Sequence, residues 1–218
     1  MPIQTNYPGI YSSSQASSQE DQFKNEFEPA LGKIAEGPSG NYLLQELGSF
    51  NARKSLSVIV KEIGPTEQPN TRAILSAAQI SEYQESTGNN ISTLEQSVSI
   101  AKKYAKKGKG CNALIEWSPH SHIELNGNGS PIRLGSNPDE AFLVLSHELV
   151  HAKHILGGTS KAYGGGDRYN GKSEAGKEEL RAVGLGKYEY SKTNQPSENS
   201  IRQEHGLPIR KKYKPHGR

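Results

Sequence analysis

Residues 136–157, SNPDEAFLVLSHELVHAKHILG, spell one helix, and its contents constrain the chain more than any other segment. Asn137 is a good N-cap, Pro138 suits the first helical position, and Asp139 and Glu140 favour the positive end of the helix dipole. Gly157 is placed to supply a left-handed C-terminal residue. Phe142, Leu145, Leu149, Ala152 and Leu156 recur three and four apart, so one stripe must face a core.

Beside that stripe lies His147-Glu148-Leu149-Val150-His151. Side chains four apart on a helix stand one above the other, so both imidazoles can reach a single ion. Zinc takes nitrogen ligands in a tetrahedral shell, and an open fourth position marks a catalytic site. Glu148 sits one residue round the helix, where its carboxylate reaches a water on the metal and can take its proton. One zinc ion per chain is the expected cofactor.

A third ligand has to come from elsewhere. His154 shares the histidine face but lies seven residues from His147, roughly 10 Å along the axis. One ion with bonds of ~2 Å does not span that distance. His154 is expected behind the ligands, or as a cation complementing the helix end. No HExxHxxGxxH is present, which excludes a metzincin. Spacing leaves Asp167, Glu174, Glu178 and Glu179 open as acidic ligands from a following helix.

Composition sets outer limits. The 218 residues suit one domain, or one domain plus a tail. They are 32% hydrophobic and 22% charged with mean hydropathy −0.75, enough for one modest core. No apolar run approaches the roughly 20 residues that span a bilayer, and the N-terminus has no signal-peptide pattern. The single Cys111 excludes an intrachain disulfide framework and suits a reducing compartment. Net charge is +3, but Lys102, Lys103, Lys106, Lys107 and Lys109 cluster, and Arg202, Arg210, Lys211, Lys212, Lys214 and Arg218 form a basic tail. Interleaved stacking aromatics are sparse, so nucleic acid is not the expected partner.

Along the chain, residues 1–19 hold no Asp, Glu, Lys or Arg and are rich in Ser and Gln. They read as a disordered segment, residues 1–20, that either links or carries an export address. Deleting them is expected to leave activity intact. Phe23, Phe27, Leu31 and Ile34 mark a helix that Gly37-Pro38 ends, and a short helix follows over Tyr42 to Leu47. Strands are expected near 55–63, over Cys111 to Trp117 and over His122 to Leu125, with 64–70 a loop and Ser92 to Lys107 a helix. Asn126-Gly127-Asn128-Gly129 is the strongest turn, with Ile132 to Leu134 as a return strand. The expected fold class is α+β: a compact zincin-like domain over 21–218, with a small sheet and an edge strand beside the HExxH helix. His122 to Leu125 is the candidate edge, to which an extended substrate would add.

Three segments resemble clostridial neurotoxin light chains. HELVHAKHILGG resembles their HELIHAGHRLYG, and Glu178-Glu179-Leu180-Arg181-Ala182-Val183-Gly184 resembles their EELRTFG. Ser197-Glu198-Asn199 through Arg210-Lys211-Lys212-Tyr213 resembles their TED…NRKTY segment. The whole of 21–218 is most similar to the NleD/HopH family of type III secreted effector proteases. The resemblance implies a monomeric gluzincin in which Glu179 is the third zinc ligand. It also implies that Arg210 and Tyr213 stabilise the tetrahedral intermediate and that Glu198 holds Arg210 near the metal. Delivery into the host cytoplasm and cleavage of host proteins, MAP kinases among them, follow from the same resemblance. The alternative is an inactive docking effector acting through its basic clusters. Arg53-Lys54-Ser55-Leu56-Ser57-Val58 fits a loose kinase-docking pattern, but reads better as the start of a buried strand.

Overall fold

Two apolar runs become the middle of a sheet, β3 (Val58–Glu62) and β5 (Asn112–Trp117), paired in parallel from Val58↔Ala113 to Glu62↔Trp117. The computed structural model describes residues 2–14, 19–106 and 108–213. Val58, Val60, Ala113, Ile115 and Trp117 are fully buried. On this face pack two helices, α1 (Glu20–Ala35) and α2 (Pro38–Lys54). Phe23 and Phe27 of α1 stack on each other at 5.8 Å and both meet Trp117. Gly37-Pro38 ends α1 as expected, but the proline also opens α2, which runs well past Leu47.

The N-terminal segment is not the disordered tail its composition suggests. β1 (Ile3–Gln4) and β2 (Ile10–Ser13) form a hairpin, and β2 adds to β3 in parallel, Ile10 facing Val58. Ile10 and Ser12 are fully buried. A charge-poor strand needs few apolar residues when a sheet edge already awaits its backbone. Removing residues 1–14 should therefore destabilise the domain by about 3 kcal/mol or more, from the lost Ile10 burial and ladder hydrogen bonds. Urea unfolding of the truncated chain checks this, and an unchanged midpoint would refute it. Residues 15–18, with Lys107, Lys214 and Arg218 of the basic clusters, lie outside the described residues.

The other flank holds the main surprise. Strand β4 (Asn70–Ile74), the stretch NTRAI after the expected loop, pairs antiparallel with β5 and forms the sheet's outer edge. The sheet order is β1-β2-β3-β5-β4. Helix α3 (Ala77–Thr87), opened by a Ser76/Gln79 capping box, was not legible from periodicity because it buries no residue. α4 (Leu94–Ala101) is shorter than expected. The hairpin around Asn126–Gly129 exists as β6 (Ser121–Leu125) and β7 (Pro131–Ser136). It forms a separate two-stranded sheet, so the edge expected at His122 to Leu125 lies instead at residues 70–74. The class is α+β, as expected.

The central helix, α5 (Ala141–Leu156), starts later than its sequence punctuation suggests. Asn137 to Glu140 make a turn, with Glu140 at the N-cap position. Gly157 is right-handed, and Gly158 takes the positive φ of 67°. All of its residues but His151 are buried, so the apolar stripe is one part of a wholly enclosed helix. Trp117 Nε1 donates to Ala141 O at 3.2 Å and joins α5 to β5. Helices α6 (Glu174–Val183), α7 (Tyr190–Thr193) and α8 (Glu198–Glu204) close the other side. Among the described residues, no helix is long and apolar enough to cross a membrane.

Candidate active site

His147 and His151 stand one turn apart on α5, and α6 crosses opposite them. Ser173 caps α6 through Gly176 N–H, and Gly184, with φ +84°, ends it. Glu178 and Glu179 are neighbours on α6, so their side chains diverge by about 100°. Glu179 turns toward the histidines. Its Oε2 is 3.2 Å from His147 Nε2 and 3.1 Å from His151 Nε2, and the two Nε2 atoms are 3.1 Å apart.

Donors about 2.0–2.1 Å from one tetrahedral ion stand roughly 3.3 Å apart, so this triangle fits a single zinc. Two imidazole nitrogens gain nothing by facing each other at this distance unless a proton or cation lies between them. The donor set, two imidazoles and a carboxylate, suits zinc.

The remaining carboxylates sort by distance. Glu178 accepts from His154 Nδ1 at 2.6 Å and from Lys161 N–H at 2.9 Å, and lies 3.3 Å from His151 Nδ1. Glu198, from α8, lies 3.1 Å from His147 Nδ1. Each histidine thus has a carboxylate behind its outer nitrogen, which fixes ring orientation and raises ligand basicity. Glu174 pairs with Lys177 and Lys161, and Asp167 accepts from Tyr169 N–H. Of the four acidic candidates, only Glu179 joins both histidines. Burial lowers the pKa of His154 to about 4. It is neutral at pH 7 and lies behind the ligands, rather than acting as a helix-end cation.

Glu198 sits at the centre of a buried charge cluster. Burial alone would raise its pKa, but Arg210 and Arg202 hold it well below the usual carboxylate range. Arg202 Nε donates to Oε1 at 2.9 Å, and Arg210 Nη1 to Oε2 at 3.0 Å. The other Arg210 contacts are to carbonyls: Nε donates to Lys212 O and Nη2 to Tyr213 O. Arg210 therefore folds the chain back so that the Tyr213 ring stacks on His147, centroids 6.2 Å apart and planes within 9°. Burial, then Glu179, pushes the Tyr213 phenol upward, so it stays protonated and can donate.

Glu148 faces a cavity of about 500 Å³ that His147, His151, Glu179, Arg210 and Tyr213 also line. Its Oε2 accepts from the Thr71 hydroxyl of β4 at 2.6 Å. Arg168 enters the same cavity, its Nε 3.4 Å from Glu179 Oε1. Thr71, Arg168 and Arg202 were not among the residues expected from sequence. Arg202 had a signal, being four residues after Glu198 on one helix. Thr71 had none, because NTRAI lacks the apolar alternation that marks a strand.

An HExxH helix, a carboxylate from a later helix and an antiparallel edge strand beside them define a candidate metallopeptidase centre of the gluzincin arrangement. The family profile fits that class. The chain belongs to the peptidase M91 family of effector proteins, whose profile matches residues 11–213.

No match is found among curated proteins. Among solved structures, the chain is similar to the catalytic domain of Clostridium botulinum neurotoxin serotype F (12% identity, 90% of this chain and 58% of that one, TM-score 0.49). It is also similar to the botulinum neurotoxin type G light chain (15% identity, 72% and 45%, TM-score 0.42). A third similar structure is the botulinum neurotoxin serotype HA light chain (17% identity, 66% and 37%, TM-score 0.41). The chain spans between 37% and 58% of the length of these chains.

Proposed function

We propose that the protein is a zinc endopeptidase, with His147, His151 and Glu179 as ligands and Glu148 as the base. The convergence of two Nε2 atoms and one carboxylate oxygen within 3.2 Å, beside Glu148, carries this reading. A bound zinc supplies Lewis-acid polarisation of a peptide carbonyl and acidifies a water. Glu148 takes the proton of the attacking water and passes it to the leaving amine. The buried Tyr213 phenol donates to the carbonyl oxygen as negative charge develops there.

Arg210 was expected to share that task, but its guanidinium is spent on Glu198 and two carbonyls, so we assign it to holding Tyr213. Tyr213→Phe should lower turnover about 10²–10³-fold, the usual effect of removing one oxyanion donor, at unchanged zinc content. Arg210→Ala should reduce turnover by loosening the same phenol, so the double variant should cost less than the product of the singles. Wild-type rates in both single variants would leave Tyr213 outside the reaction.

Delivery by a type III system into host cytoplasm, and host proteins including MAP kinases as substrates, extend this proposal from the family resemblance. A monomer needing no nucleic acid and no membrane is part of the same reading. The export address would lie in residues 1–20, ahead of a protease domain over 21–218, although strands β1 and β2 join the domain's sheet. Metal analysis of the purified chain, followed by sequencing of new N-termini in host lysate treated with wild-type or Glu148→Ala protein, tests it. Zinc-dependent cleavages absent from the variant support the proposal, and identical termini in both samples oppose it.

A further inference from the structure

The side chain and the main chain of Thr71 face two different partners. Two residues along β4, Ala73 N–H donates to the Tyr163 hydroxyl at 2.7 Å, away from β5. Its pairing partner Ala113 donates in the other direction, to Ser57 O. In an antiparallel ladder such a residue turns both its N–H and its C=O out of the pair, and the pattern repeats every two residues. Thr71 is therefore the next residue whose main chain faces the open edge, and residue 69 the one after that. Pro69 has no N–H to offer. The Ala73 N–H is already taken by Tyr163, whose phenol burial raises to about 12, so it stays protonated. From residue 69 to residue 73, Thr71 alone turns an uncommitted N–H to the edge.

The Thr71 side chain points at the site helix. Its hydroxyl lies 2.6 Å from Glu148 Oε2 and 3.2 Å from Glu148 O. A hydroxyl has one proton, and the shorter, charge-assisted contact takes it. One carboxylate oxygen is thereby held, and Oε1 is left for proton exchange.

We infer that Thr71 is the positioning residue of this site: its N–H registers an extended peptide on β4, and its hydroxyl holds Glu148. A single residue then sets the substrate backbone and the base relative to each other. Tyr163 closes the edge just beyond it, so the strand accepts one backbone carbonyl and not a ladder of them. The inference rests on the protease reading above.

Two hydroxamates bound to the zinc-loaded protein, followed by calorimetry, separate the two roles. Acetohydroxamate chelates the metal and shares its proton with the neighbouring carboxylate, so it reports on Glu148. A benzyloxycarbonyl-Gly-Leu hydroxamate adds a peptide backbone. Thr71→Val should weaken acetohydroxamate about tenfold at unchanged zinc affinity, as expected for losing a hydrogen bond to a charged group. Thr71→Ser should restore it, and the valine change should have no effect in a Glu148→Gln background.

Thr71→Pro is tolerable where the N–H faces outward. It should weaken the peptidyl probe beyond Thr71→Val and leave acetohydroxamate at the valine level. Tyr163→Phe, which returns Ala73 N–H to the edge and keeps the fold, should tighten the peptidyl probe alone. If Thr71→Val binds acetohydroxamate like wild type, or weakens it equally in the Glu148→Gln background, the positioning role is overturned. An unaltered peptidyl affinity in both Thr71→Pro and Tyr163→Phe overturns the registering role. A wild-type chain that binds neither zinc nor hydroxamate overturns the protease reading itself, and this inference with it.

Discussion

Glu148→Ala protein should bind one zinc per chain, unfold at the wild-type temperature and turn substrate over at least about 10³-fold more slowly. The magnitude is that of a positioned general base, whose loss typically costs 10²–10⁴-fold. Metal is retained because the Glu148 carboxylate is no member of the donor triangle, which is built from His147, His151 and Glu179. Stability changes little because the lost contact is one hydrogen bond, from Thr71, and the cavity already borders the residue. His147→Ala or His151→Ala should behave differently and lose the ion, which metal analysis would show. Normal turnover by Glu148→Ala would remove the base from the mechanism.

Glu198→Ala should be the most destabilising single change in the site. It leaves Arg202 and Arg210 buried without their carboxylate, and breaking one member of a buried charge cluster costs about 3–5 kcal/mol. His147 Nδ1 loses its partner as well, so zinc affinity should fall about 10–100-fold. Glu198→Gln keeps the shape and should recover part of the stability but not the ligand basicity.

The pH dependence follows in sign. The folded-state pKa of Glu198 is held below its ordinary 4.5, so the folded state keeps the carboxylate charged where the unfolded chain is protonated. Its stabilisation is therefore complete above about pH 4.5 and is lost as pH falls below that value. Urea midpoints that decline below pH 4.5 in wild type, with a smaller decline in Glu198→Gln, would check this. Equal declines in both would assign the acid sensitivity to other groups.

The parts of the site legible in sequence are those that local geometry determines. Four residues make one helical turn, so the spacing of His147 and His151 already implied facing imidazoles, with Glu148 one step round the axis. Capping chemistry located the following helix, and Gly184 marked its end. The alternation of Leu56, Val58 and Val60 was enough for β3, since a strand buried on one face shows its period in any order of neighbours. Where local signals were weak or double-edged, the reading failed. Residues 1–14 lack charge and apolar bulk, yet a sheet edge recruits them, because their backbone groups find partners there at little side-chain cost. Residues 70–74 form the edge strand with a polar pattern, because one flank of an edge strand meets the cleft.

What the sequence by itself determined was the helix, the ligand pair and the base, all within five consecutive residues whose mutual geometry needs no other part of the chain. The choice among Asp167, Glu174, Glu178 and Glu179 belonged to the tertiary structure. It depends on the angle at which α6 crosses α5, and no local spacing encodes that angle. The same holds for Glu198 and Arg210, brought to His147 from 51 and 63 residues away by the docking of α8 and the chain reversal after it. It holds also for Thr71, 77 residues before Glu148, whose hydroxyl meets the base only because β4 closes the sheet on the side of α5. Long-range contacts of this kind are selected by the packing of whole elements, and a residue's own neighbours in sequence carry no trace of them.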